Sequence, residues 1–111
     1  MIKTLNLKEV GSVEDSVRIM EMEIEKSKLE DVTVIKLIHG YGSHGRGGGI
    51  LKEIRKRLSL LKKQGKIKDY FNGDKWNLFE KQSVEILKKD KLISGDVDLN
   101  KNNPGITIII L

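Results

Sequence analysis

His39 and His44 are the only imidazoles in the chain, and both lie in a stretch that holds six of its eleven glycines, Gly40 to Gly49. It reads Ile38-His39-Gly40-Tyr41-Gly42-Ser43-His44-Gly45-Arg46-Gly47-Gly48-Gly49. A neutral imidazole can accept or donate a proton near pH 7, which suits general acid/base chemistry on a phosphodiester. A glycine-rich backbone can approach a ligand closely and aim N–H groups at it. Arg46 adds a planar guanidinium that can take two phosphate oxygens at once. The stretch therefore has the parts of a phosphate site, built from Gly40, Tyr41, Gly42, Ser43, Arg46, Gly47, Gly48 and Gly49. His39 and His44 are the candidate catalytic groups. His44 lies on the open loop. For His39 the competing reading is a strand-end histidine that hydrogen-bonds backbone.

Two nucleotide-cofactor motifs resemble this stretch, and the context excludes both. Gly40-x-Gly42-x-x-Gly45 fits the dinucleotide fingerprint in spacing, but that motif closes the first strand of its fold and opens a helix directly. Here it follows the second strand, several residues before the helix. A P-loop would need a Lys-Ser/Thr pair after its last glycine, and Arg46-Gly47 stands there instead.

The elements that must position these residues follow from periodicity. Lys3–Leu7 alternates as a short strand. Ser12-Val13-Glu14-Asp15 resembles a capping box. Val13, Val17, Met20 and Ile24 then recur at helical spacing to about Lys28. Val32–Ile38 is β-branched and almost continuously apolar, as an interior strand should be. Ile50, Leu51, Ile54, Leu58 and Leu61 mark a second helix, with Gly65 as its stop. Lys66–Phe71 reads as a third strand, and Asn72-Gly73-Asp74 as a turn. Phe79 to Lys89 predicts a third helix packed through Phe79, Val84 and Leu87. Residues 90–105 read as loop. Ile106–Leu111 reads as a central, buried strand. The order β-α-β-α-β-(α)-β predicts an α/β (α+β) fold with a mixed sheet, in a two-layer sandwich whose first two strands run parallel.

Charge is distributed unevenly along this order. Residues 1–31 carry five Lys/Arg against eight Asp/Glu, residues 32–68 ten against one, and residues 69–111 six against seven. The middle segment is thus a basic block between mildly acidic ones, which points to a polyanionic partner. Lys52, Arg55, Lys56 and Lys62 on the second helix extend the phosphate site. The length of 111 residues fits a single domain, 1–111. The chain has no cysteine, which excludes disulfides and thiolate metal sites. It has no apolar run near the length of a membrane span, and its start lacks the layout of a signal peptide. A cytoplasmic protein with no membrane partner is expected. No cofactor is expected either, and a divalent metal would have no clear protein site.

Ile38-His39-Gly40-Tyr41-Gly42-Ser43-His44, with its glycine run and Ile50-Leu51-Lys52, resembles the HGxG segment of the Smr (small MutS-related) domain family. Pro104-Gly105 with Ile106–Leu111 resembles the closing glycine and strand of that family. The resemblance covers residues 3–71 and 104–111. It implies a β-α-β-α-β-β sandwich similar to the C-terminal domain of translation initiation factor three. It also implies nucleic-acid binding, with nicking or cleavage in several members. The sequence departs from the family in two places. Where typical members end the first strand in Leu-Asp-Leu-His-Gly, this chain has Leu5-Asn6-Leu7-Lys8-Glu9, so an amide replaces the carboxylate and a lysine the imidazole. Asn6 cannot act as a base, and Lys8 is ordinarily protonated. There is also an insertion at about 72–103, in which Trp76 and Phe79 read as packing residues rather than base-stacking ones.

Together these readings predict a nucleic-acid-binding, Smr-like domain whose partner is DNA or RNA, with branched or structured forms included. Endonuclease activity by general acid/base catalysis is the enzymatic reading. A non-catalytic phosphate-binding module and a protein-interaction domain are the alternatives. Oligomeric state is left open.

Overall fold

Four short strands dominated by β-branched and aliphatic residues form one mixed sheet. A computed structural model describes residues 1–40 and 46–111, apart from the side chains of residues 46–48. The strands are β1 (Ile2–Asn6), β2 (Val34–Ile38), β3 (Asp69–Asn72) and β4 (Ile106–Ile110), and the helices α1 (Val13–Lys28), α2 (Arg46–Lys63) and α3 (Lys81–Lys89). Two 3-10 turns, Gly73–Lys75 and Lys91–Gly95, flank α3.

The sheet order is β1-β2-β4-β3. β1 and β2 are parallel, with Asn6 opposite Ile38, and β4 runs antiparallel between β2 and β3. The closing strand is therefore central, as its apolar run predicted. It is apolar but for Thr107 because both of its faces are covered. Ile35, Leu37 and Ile109 pack with Met20, Ile24, Ile54, Leu58 and Leu61 from α1 and α2. Val34, Ile106 and Ile108 point the other way and meet Phe71, Trp76, Ile86 and Ile93. Each such fully buried side chain contributes about 1.5–3 kcal/mol of transfer free energy.

Capping follows local sequence closely. The Ser12 hydroxyl accepts from the Asp15 N–H at 3.1 Å and opens α1. α2 closes with Gly65 at φ +73°, with the Gly65 N–H bonded to the Lys62 carbonyl and the Lys66 N–H to the Leu61 carbonyl. That is a Schellman close, and it uses the left-handed backbone that glycine tolerates.

The structure differs from the expectations in three places. α2 begins at Arg46 rather than near Ile50, so Gly47, Gly48 and Gly49 belong to its first turn and not to the preceding loop. Propensity disfavours glycine in a helix, but the apolar stripe from Ile50 to Leu61 holds the helix down and extends it backwards. Phe79 does not pack: it is 98% exposed, ahead of α3, and Ser83 and Ile86 are the buried residues of that helix. Finally, the insertion expected at about 72–103 is part of the core, because its Trp76, Ile86 and Ile93 bury the second face of the sheet.

A buried cation holds that segment in place. Lys36, only 4% exposed in the middle of β2, reaches Asp96 and Asp98 at 2.7 Å each. Trp76 Nε1 donates to Asp96 at 3.0 Å, and Asn103 Nδ2 donates to Asp98 at 2.9 Å. Burial disfavours the ammonium, but its hydrogen bonds to the two carboxylates outweigh that and raise its pKa above the ordinary value.

Candidate nucleic-acid interface

While Lys62 lies toward the other end of β3 beside Asp69, the topology brings several of the residues singled out by sequence to one edge of the sheet. β1 and β2 end there, at Asn6 and Ile38, and so does β3, at Asn72, while β4 begins there at Ile106. The carboxyl ends of strands in α/β sheets form a natural crevice for ligands. Around this one lie Asn6, Lys8, His39, Gly40, Arg55 and the start of α2.

Asn6 forms a local turn, its Oδ1 accepting the Lys8 N–H at 2.9 Å. The Lys8 stem then lies over Gly40, with Cγ 3.8 Å from where a Cβ on that glycine would be. Gly40 has φ +83°, so a side chain there would be strained irrespective of space. Its N–H and that of His39 both bond the Gly105 carbonyl, at 3.1 and 3.0 Å, which joins the HGxG-like segment to the closing glycine ahead of β4.

His39 is 3% exposed. Its Nδ1 lies 2.9 Å from the Gly40 carbonyl, which can only accept, so Nδ1 carries the proton. In the neutral ring Nε2 then accepts from the Thr107 hydroxyl, also at 2.9 Å. Burial lowers the pKa of His39 below the ordinary value, the bond to Gly40 opposes that, and the charge of Arg55 lowers it further. Both ring nitrogens are thus committed inside the protein, the arrangement expected of a strand-end histidine that anchors backbone.

α2 supplies positive charge in two ways. The first four N–H groups of a helix have no partner within it, and here they belong to Arg46, Gly47, Gly48 and Gly49. No acidic residue occupies this first turn, whereas α1 carries Glu14 and Asp15 in its own. The positive end of the helix dipole is therefore left for an external anion. Further along, Lys52, Arg55, Lys56 and Lys62 are exposed. With 3.6 residues per turn they share one strip, opposite Ile54, Leu58 and Leu61. Arg55 donates to Asn72 Oδ1 at 2.6 Å, and Lys62 pairs with Asp69 at 3.0 Å. Lys52 and Lys56 take part in no ion pair among the described residues. Arg57, on the flank, is spent on Glu21 of α1 at 2.9 Å.

Tyr41, Gly42, Ser43 and His44 lie outside the described residues, as do the side chains of Arg46, Gly47 and Gly48. Among the described residues, no three of His, Cys, Asp or Glu gather as a metal-binding group, and no helix is long and apolar enough to cross a membrane. Sequence reasoning passed over the contribution of β3. Asn72 and Asp69 hold Arg55 and Lys62, and the only signal for this was polar residues at the ends of a short strand. No family model matches the chain, and neither a curated protein nor a solved structure matches it significantly.

Proposed function

We propose that the chain is a nucleic-acid-binding domain of the Smr type that grips phosphates with the first turn and basic strip of α2. The observation that carries this reading is the start of α2 at Arg46, which puts Gly47, Gly48 and Gly49 in a first turn with no acid, ahead of an exposed basic strip. A phosphate is the ligand such an end accepts best. Arg46 adds a charge-assisted contact, and Lys52 and Lys56 follow the backbone outward. The parallel β1–β2 pair, with His39-Gly40 at its end and Gly105 joined to it, is consistent with the Smr resemblance. On that resemblance the α1–α2 layer and the sheet correspond to the sandwich similar to the C-terminal domain of translation initiation factor three, and residues from about 72 to 103 are an addition to it. A cytoplasmic site of action belongs to the same proposal.

Endonucleolytic cleavage is the narrower proposal. In it His44 is the general acid/base, the α2 amides and Arg46 stabilise charge on the phosphate, and His39 positions the loop through Gly40 and Thr107. The engagement of both His39 nitrogens favours binding without chemistry as the second reading, with Asn6 and Lys8 standing where the family has its acid and imidazole.

Fluorescence polarisation on single-stranded, duplex and branched DNA and RNA, at several salt concentrations, tests the reading. Affinity should fall with salt at about 0.9 log unit per neutralised phosphate for B-DNA. Arg46→Ala should weaken binding by about 1.5–3 kcal/mol. A chain that binds none of these substrates at low salt, or binds them independently of salt, overturns it.

A further inference from the structure

β3 is an edge strand, with β4 on one side and no strand on the other among the described residues. An open edge usually invites another strand. Here it forms the floor of a groove of about 720 Å³. Arg55, Ser59, Lys62 and Lys63 of α2 make one wall, Lys75 and Gln82 the other, and Asp69–Asn72 the floor. Four cations face one carboxylate, that of Asp69. Burial works against the charge of Asp69, but hydrogen bonds from Lys62, the Tyr70 N–H and Gln82 outweigh that and lower its pKa. The groove is thus strongly positive even with Asp69 ionised.

We propose that this groove holds a single-stranded stretch of nucleic acid, its phosphates between the two basic walls and a base stacked on Phe79. The inference rests on the nucleic-acid reading above and extends it to a strand path that leaves α2 toward α3. Charge complementarity selects a polyanion. The edge itself is poorly prepared for an added peptide strand: the Tyr70 N–H is already bonded to the Asp69 carboxylate at 2.8 Å, and the Asn72 side chain to Arg55. Recognition must therefore come from side-chain charge rather than a backbone ladder. Phe79 supplies what single strands offer and duplexes conceal, the face of a base. It stands three residues before Gln82 and four after Lys75, both of which line the groove, and its ring is 98% exposed. No packing role accounts for an aromatic ring left in water at that place.

The test uses the whole chain and a labelled oligothymidylate about ten nucleotides long, against a duplex of the same length. Lys63→Glu/Lys75→Glu reverses charge on both walls and breaks no ion pair among the described residues. It should lower single-strand affinity about tenfold or more, and duplex affinity less. Phe79→Ala should lower single-strand affinity about fivefold or more and leave the duplex unchanged, by loss of one stacked base. Thermal unfolding of each variant establishes that the fold is intact, and Phe79→Ala, at an exposed site, stands as the second measure if the charge reversal proves unstable. Single-strand binding that survives both changes, while Arg46→Ala weakens it, overturns the groove and leaves the α2 site standing. A wild-type chain that binds neither oligonucleotide overturns both. Tighter binding of an oligoglutamate peptide than of the oligothymidylate, abolished by the charge reversal, makes the groove a peptide site and overturns the proposal.

Discussion

Replacing His39 by alanine separates a structural imidazole from a catalytic one. The substitution leaves the Thr107 hydroxyl, fully buried, without its acceptor and the Gly40 carbonyl without its donor. A stranded buried polar group costs about 1–3 kcal/mol. Gly40 is partly exposed, so water can reach its carbonyl and Thr107 carries most of the cost. The space left by the ring adds a packing loss. Together these come to about 3 kcal/mol, which in a domain of this size lowers Tm by about 10 °C. The pH dependence carries a second signature. Burial lowers the folded-state pKa of His39 from its ordinary 6.5, with Arg55 adding to the effect. Above that value the ring is neutral in both states. As pH falls through 6.5 the unfolded ring takes up a proton and the folded ring does not, so stability declines toward the lower folded pKa. Denaturant unfolding of wild type and His39→Ala between pH 8 and 5 should show a lower midpoint for the variant and a flatter decline below about pH 6.5. A variant that unfolds at the wild-type midpoint at every pH, yet has lost cleavage, would refute the structural assignment and return His39 to the chemistry.

Two further changes probe the segment that covers the second face of the sheet. Lys36→Met should destabilise by about 3–5 kcal/mol, because it leaves Asp96 and Asp98 as a poorly solvated carboxylate pair without its cation; urea unfolding measures this, and a loss below about 1 kcal/mol would mean that the pair is readily hydrated. Gly73→Ala should cost about 1–3 kcal/mol or more by overpacking, because a Cβ there would run into the Asn103 carbonyl and Ile106 Cγ1; a variant as stable as wild type would show that the turn can shift.

The framework was legible wherever one residue type had one physical use. Ser12 ahead of an apolar stripe marked the start of α1, Gly65 the end of α2, and the largely apolar, β-branched runs of β2 and β4 announced strands buried on both faces. What the sequence hid were tertiary choices that override local preference. A run of three glycines reads as loop, but the stripe behind it winds it into α2. Lys36 reads as a solvated break in an apolar strand, since only the fold brings Asp96 and Asp98, sixty residues away, against it. Phe79 is expected to pack with Val84 and Leu87, yet α3 starts after it, and Ser83 and Ile86 are buried with Leu87 packed beside them. In the candidate site, the basic strip on α2 followed from spacing and charge, but the bond of the Gly40 N–H to the Gly105 carbonyl did not. Nor did the partners of His39 and Arg55, because Thr107 and Asn72 approach them from strands remote in sequence.

The end of β1 bears most directly on whether binding leads to chemistry. A general base must present a free acceptor near the scissile phosphate. Asn6 is an amide and its oxygen is bonded to the Lys8 N–H. Lys8 is a cation lying along Gly40, suited to holding an anion rather than taking a proton. His39 has its Nε2 turned toward Thr107 inside the fold. On the groove floor, at the other end of β3, the Asp69 carboxylate is held by Lys62, Gln82 and Tyr70. Among the described residues at this edge, the groups that could accept a proton are thus committed to neighbours, while the exposed Lys52 and Lys56 take part in no ion pair. An edge with exposed cations and few free acceptors among its described groups favours retention of a phosphate over its cleavage. Chemistry here requires His44 to be the acceptor, so the activity of His44→Ala on a substrate that wild type cleaves decides between a nuclease and a clamp.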